Sequence, residues 1–294
     1  MALPCLQPND FVLLRPEPLT PEGFALFGTV IAAPLAPTLV QYPTAIPISE
    51  HPKHQPAPVN ANQQTALKTS PISPLTNDYP SSRPGEGLMS IFSSFPRKNT
   101  YMIPDISTRQ AALRLKLGIL ERHPFTTQTF CPFNYSEPST DAIKHSDDKT
   151  YMLVIVAPTT SSPSANPPNP PDLASIRAFF TPLNSASTPN MAVTYAPGTW
   201  HAPMIVLGSQ RVDFLVTQFA NGVANDDCQE VLIGSGPDES TLSQDELRFR
   251  WHEGGINNGV KEVEVDISFL QRDRGDGSEQ KGAEVAAVKE KAKL

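Results

Sequence analysis

The sequence is short of the features that mark several functional classes. Its three cysteines, Cys5, Cys131 and Cys228, are odd in number, widely spaced and without a CxxC pair. That usage suits a reducing compartment. Charge is sparse, at 18% of 294 residues with a net of −7. Nucleic acid and anionic membranes are therefore not expected as partners, because both require a basic face. No apolar run approaches the 18 or so residues of a membrane span. The opening residues, MALPCLQPND, lack the basic and apolar regions of a secretory signal. No Ser-His-Asp or Cys-His signature of covalent catalysis stands out.

Proline is what the chain has in excess: 32 residues, about twice the average share. Nineteen of them fall in 34–84 and 158–189. Residues 34–84 are also rich in Ser, Thr, Asn and Gln and show no sustained apolar period. A segment with so little to bury is expected to run over the surface as an insertion, and His51 and His54 read as solvent-exposed loop residues. A second insertion is expected over 158–171, whose prolines favour extended backbone. Residues 272–294 form a charged tail. Length alone would allow two domains of roughly 150 residues. With the three segments removed, 206 residues remain, so the expectation is a single domain over 1–271.

That core reads as mainly β. Period-two alternation marks strands over 88–95, 113–123, 126–133, 150–157, 191–196, 211–219, 228–233 and 261–270. Many short strands separated by Pro- and Gly-marked turns predict an antiparallel barrel or sandwich. One short helix is expected after Thr20, with Pro21 at its first position and Gly28 as its stop. Another is expected to begin at Asp172.

Alternation along 113–123 carries a functional inference. Leu113, Leu115, Leu117 and Ile119 share one face, expected to fill the barrel, and Glu121 and His123 would continue that row to its mouth while Arg122 points away. A carboxylate and an imidazole there must be paired, bound to metal or used in chemistry. A second signal is TYAPGTWHAPM, 194–204, where Pro197-Gly198 makes a tight turn three residues before His201. Together, Glu121-x-His123-x4-Gln128 and Pro197-Gly198-x-x-His201 resemble the two motifs of the cupin barrels, HxH-x3–4-E and PxGxxH, in degraded form. The resemblance implies a double-stranded β-helix with Glu121, His123, Gln128 and His201 at the metal-ligand positions. Ile205 replaces the expected asparagine. Two imidazoles and one carboxylate can still hold a divalent metal with open positions.

The segments LTPEGFALFGTVI (19–31), ILERHPFTTQTFCPF (119–133), PDLASIRAFF (171–180), VTYAPGTWHAPM (193–204) and VDFLVTQFANG (212–222) with DDC (226–228) resemble the ureidoglycolate lyase family in order and spacing. The long insertion and the tail look like eukaryotic, fungal additions. What the resemblance implies is cleavage of (S)-ureidoglycolate to glyoxylate and urea in allantoin degradation. It also implies a homodimer and a small-molecule substrate, with a Ni, Mn or Zn ion as the candidate metal and no organic cofactor. His123, His201 and Glu121 are the expected catalytic residues, and Gln128 would bind the amide-like edge of urea. The family often carries an arginine in SIF-R, where this chain has Ser90-Ile91-Phe92-Ser93. Arg97 or Arg177 would then grip the substrate carboxylate, with Trp200 at the barrel mouth. Asp213 and Asp227 are further candidates, Asp213 more readily as the partner of Arg211 or Arg177, and Cys131 and Cys228 read as core or structural residues. The alternatives are a non-catalytic cupin that binds a small carboxylate, or another metal-dependent cupin enzyme such as an oxygenase.

The last residues, Ala292-Lys293-Leu294, match a conservative variant of the Ser-Lys-Leu peroxisomal address. A peroxisomal location through the import receptor is expected, with a cytoplasmic one as the alternative.

Overall fold

A computed structural model describes residues 5–6, 11–98, 100–104, 111–135, 149–161, 169–183, 190–234 and 262–272. Ala292, Lys293 and Leu294, most of the charged tail and the Trp251-His252 pair lie outside the described residues.

The protein is mainly β, consistent with a cupin-like fold. An eight-stranded sheet runs in the order Cys5–Leu6, Gln229–Ile233, Ile119–Arg122, Trp200–His201, Thr150–Ala157, Arg177–Leu183, Glu17–Pro18, and Ile205–Leu207 also pairs with Thr150–Ala157. A five-stranded sheet runs Gly28–Ile31, Ala192–Tyr195, Gln128–Tyr135, Val212–Ala220, Glu86–Ser94. A four-stranded sheet is built from Val12–Leu14, Val263–Asp266, Ala111–Leu117 and Thr100–Pro104. Within the proline-rich 34–84 stretch Val59–Ala61 and Ala66–Lys68 form a hairpin, and Asn77 makes an isolated bridge to Thr126. No helix among the described residues is long and apolar enough to cross a membrane.

The eight-stranded sheet is buried on both faces, and Thr150–Ala157 shows why its sequence, TYMLVIVA, is apolar without a break. Met152, Val154 and Val156 join Phe130, Phe179, Val193, Tyr195, Phe214 and Val216 in a core shared with the five-stranded sheet. Tyr151, Leu153, Ile155 and Ala157 join Leu115, Leu117, Leu120, Val263 and Val265 in a second core shared with the four-stranded sheet.

Three expectations need correction. The 113–123 run is not one strand. It breaks at Gly118, where the chain leaves the four-stranded sheet for the eight-stranded one. Alternation slips by one residue there, so Leu115 and Leu117 share a core with Leu120 rather than with Ile119. The leucine row therefore packs away from Glu121, which faces the other core. Second, Asp172 opens a turn and not a helix. Its carboxylate accepts from Ala174 N (3.0 Å) and Ser175 Oγ (2.6 Å), but the strand from Arg177 follows at once. Third, the strand expected over 261–270 ends at Asp266 and gives way to a helical turn, Phe269–Arg272. There Phe269 stacks on Phe180 at 4.5 Å.

The first helix forms over Pro21–Phe24 with the expected N-cap, Thr20 Oγ1 accepting from Gly23 N at 3.0 Å, but it stops at Ala25 and not at Gly28. Gly28 then starts a strand at φ +149°, and a Cβ there would meet Thr194 O at 1.9 Å. Only glycine fits this approach to the neighbouring strand.

Candidate active site

One cross-strand row crosses the eight-stranded sheet on the face of Val156: Val156 pairs with His201, His201 with Glu121, and Glu121 with Glu230. The row is apolar at Val156 and polar beyond it. From the facing five-stranded sheet come Gln128 and Tyr195, themselves register partners. The Tyr195 ring lies flat against His201, with centroids 3.9 Å apart and planes 13° from parallel. His123 follows the end of its strand, held by Gly198 N donating to His123 O at 2.8 Å. The Pro197-Gly198 turn thus ties the two motifs together, with Gly198 at φ +78°.

Both imidazoles are fixed in the same sense. His123 Nδ1 lies 2.5 Å from Asp227 O, and His201 Nδ1 lies 3.0 Å from Thr199 O. A carbonyl can only accept, so each Nδ1 carries the hydrogen and each Nε2 of a neutral ring presents a lone pair. Both Nε2 atoms are buried without a hydrogen-bond partner among the described residues. The Oε1 atom of Gln128 is equally unpartnered, because its Nε2 donates to Gln218 Oε1 at 2.7 Å. Unsatisfied buried acceptors that converge on one spot mark a place where a ligand completes the bonding.

His201 Nε2 stands 3.5 Å from Glu121 Oε1. Burial pushes the Glu121 carboxyl up, but its contact with His201 and the neighbouring His201 and His123 rings outweigh that and hold it below the usual range. Burial, then repulsion by His201, lowers His123. The site therefore pairs an ionised carboxylate with an imidazole kept neutral. Burial, and then the charge of Glu121, raises the Tyr195 phenol, which stays protonated.

The ligand atoms of Glu121, His123 and His201 all lie within 4.8 Å of one another. Two free imidazole nitrogens and a carboxylate are a donor set that fits a divalent transition metal, and the Nδ1 anchors supply the outer support such ligands need.

Of the other sequence-predicted residues, Asp227 borders the site through its carbonyl on His123 and Cys228 through its Sγ, within 4.8 Å of Glu121 and Glu230 oxygens, while the rest are placed elsewhere. Trp200, next to His201 on the same strand, points to the opposite face. It is buried in the second core, with Arg122 over its ring at 4.7 Å and its Nε1 donating to Asn169 O. Arg177 is bound to Glu17 at 2.8 Å and to Gly23 O at 2.9 Å. Arg97 is exposed and forms no ion pair among the described residues. Ser93 faces away from the site, since Phe92 beside it packs on Phe130 in the core. Asp213 pairs with Arg211 at 3.0 Å on that outer side. Cys131 is exposed, contrary to its reading as a core residue. Cys228 is half-buried, and burial, reinforced by the charge of Glu121, raises its thiol. His54 lies 2.8 Å from Glu22, far along the chain from these residues.

Sequence reasoning missed Tyr195 and Gln218. The alternation Val193, Tyr195 on an inward face was the available signal for the first. Gln218 gave none, because its partnership with Gln128 exists only across two strands.

A family model described as ureidoglycolate lyase matches residues 12–238. A ureidoglycolate lyase of Saccharomyces cerevisiae is 33% identical over 201 residues, covering 68% of this chain and 82% of the relative. That of Schizosaccharomyces pombe is 31% identical over 216 residues, covering 72% and 87%. A bacterial one, from Burkholderia mallei, is 28% identical over 200 residues, covering 68% and 78%.

Proposed function

We propose that this chain, which belongs to the ureidoglycolate lyase family, cleaves (S)-ureidoglycolate to glyoxylate and urea. The observation that supports this most is the convergence of Glu121, His123 and His201 on one spot, with Nε2 of both imidazoles and Oε1 of Gln128 buried and free.

The substrate carries a hydroxyl and a ureido nitrogen on one carbon. Its breakdown needs a base at the hydroxyl and an acid at the departing nitrogen. His201 Nε2 takes the hydroxyl proton, and the imidazolium that forms is stabilised by Glu121 at 3.5 Å. As the carbonyl forms, the C–N bond breaks with its electron pair on nitrogen, and the same imidazolium returns the proton there. The balance is one substrate to glyoxylate and urea, with no proton gained or lost. His123, kept neutral by burial and by its neighbour, accepts a hydrogen bond without competing for the proton. Gln128 Oε1 accepts from the ureido NH2.

A divalent ion of the nickel, manganese or zinc kind would be held by Glu121, His123 and His201, with Gln128 beside them. It would supply Lewis acidity toward the substrate's carboxylate and hydroxyl oxygens. Held that way, the two Nε2 lone pairs serve as ligands rather than bases. A coupled assay for glyoxylate from ureidoglycolate, run with and without chelator, tests the whole reading. Turnover supports the lyase, and its loss on chelation assigns the imidazoles to the metal. Tight substrate binding without turnover would leave a carboxylate-binding protein instead.

The homodimer is supported by exposed apolar side chains on the five-stranded sheet, including Met89 (72% exposed), Ile91 (54%) and Phe133 (69%). Light scattering on the eluted protein tests it, and a monomer mass rules it out. Peroxisomal import rests on Ala292-Lys293-Leu294 alone. A fluorescent fusion that is cytosolic with and without Leu294 would end that reading.

A further inference from the structure

We infer that Tyr195 is a catalytic residue of this reaction, its phenol donating a hydrogen bond to the carbinol oxygen as that oxygen becomes the glyoxylate carbonyl. The inference rests on the lyase reading and deepens it. Three observations carry it. The ring is almost wholly buried and lies flat on His201, the imidazole that faces Glu121. Its backbone is paired with Gln128, so the side chain enters the site from the sheet opposite the one that bears His201 and Glu121. Its hydroxyl forms no hydrogen bond with any described residue, whereas the buried phenol of Tyr79 is bonded to Asp227. A tyrosine with a buried ring normally has its hydroxyl partnered, and a donor left unpartnered on the residue that pairs with Gln128 and stacks on His201 is a gap in the bonding that a ligand fills.

The chemistry follows from what is opposite. Glu121, His123 and Gln128 offer only acceptor atoms to the site while both imidazoles are neutral. An oxygen that loses its proton to His201 becomes negative and needs a donor. Tyr195 is a neutral one, fixed by the stack on His201, and needs no reorganisation when charge appears. In the balance given above Tyr195 neither gains nor loses a proton: it holds the oxygen while His201 carries the proton from oxygen to nitrogen.

The experiment is Y195F, which removes the hydroxyl and keeps the ring stack. The expected result is a fall in kcat of about 100-fold, with KM within a few-fold of wild type and an unchanged melting temperature. An active wild type with Y195F within twofold of its kcat overturns the role of Tyr195 and leaves the lyase reading standing. A wild type that releases no glyoxylate overturns both. Loss confined to KM would show that the hydroxyl only binds the ground state, and it would overturn the role in the developing carbonyl.

Discussion

The hydroxyl of Tyr79 donates a 2.6 Å hydrogen bond to Asp227 Oδ1, 148 residues away in sequence. Asp227 also accepts from Asn221 N at 2.7 Å and Gly222 N at 2.9 Å, while its own carbonyl holds His123 Nδ1. A residue of the proline-rich stretch is thus two bonds from a site imidazole. Its neighbours are woven in as well: Thr76 N donates to Thr127 Oγ1, and Asp78 N to Phe125 O. Y79F keeps the ring against Phe125 but deletes the donor. It should lower stability by about 1 kcal/mol and slow turnover several-fold, read by urea denaturation and the glyoxylate assay. Wild-type stability would show the bond to be idle.

The pH dependence of stability follows from three groups. Burial pushes Asp227 up, but the bonds from Tyr79, Asn221 and Gly222 outweigh it and hold the carboxyl below its usual 3.8. Glu121 is held below its usual 4.5 in the same sense. For both, the unfolded chain binds the proton first as pH falls, so their stabilisation is present above the usual values and is lost through and below them. His123 lies below its usual 6.5, so the unfolded state again protonates first, and stability falls as pH drops from 6.5 toward the folded value. Chemical denaturation at pH 7.5, 5.5 and 3.5 should show both losses. The first should shrink in H123N, and an unchanged slope there would contradict the assignment.

His201→Ala should abolish urea and glyoxylate release, by about 1,000-fold or more, while the far-ultraviolet circular dichroism stays that of the wild type. Near-normal turnover in this folded variant would remove His201 from the chemistry.

Two glycines should respond differently to alanine. At Gly28 a Cβ would collide with Thr194 O, and the φ is positive as well, so G28A should destabilise by on the order of 3 kcal/mol or more. At Gly198 nothing lies within 4 Å of the added carbon, which leaves only the positive φ, about 1–2 kcal/mol. Equal melting temperatures for the two variants would contradict the backbone contact at Gly28.

Particular residues show how much of this was legible in sequence. The strand at Thr150–Ala157 was legible, although its run is apolar on both faces rather than alternating, and the TYAPGTWH spacing already set His201 behind a turn. Glu121 and His123 were found for a reason that the fold revised. The leucines before them were expected to lead into the same compartment, but Gly118 shifts the alternation by one and moves the chain between sheets. Arg177 and Trp200 were expected at the substrate and serve the scaffold instead.

Through the resemblance to the cupin motifs the sequence offered the candidate quartet of Glu121, His123, Gln128 and His201, and by itself it determined most of the strands, the N-cap of the first helix and the turn at Gly198. These follow from local period, fixed dihedrals and short spacings, which neighbouring residues decide among themselves. Only the tertiary structure decided that the two imidazoles present Nε2, that Tyr195 covers His201, and that Tyr79 secures Asp227. Each of these depends on which strands lie side by side, and strand pairing joins residues tens to more than a hundred positions apart. No local pattern encodes that distance.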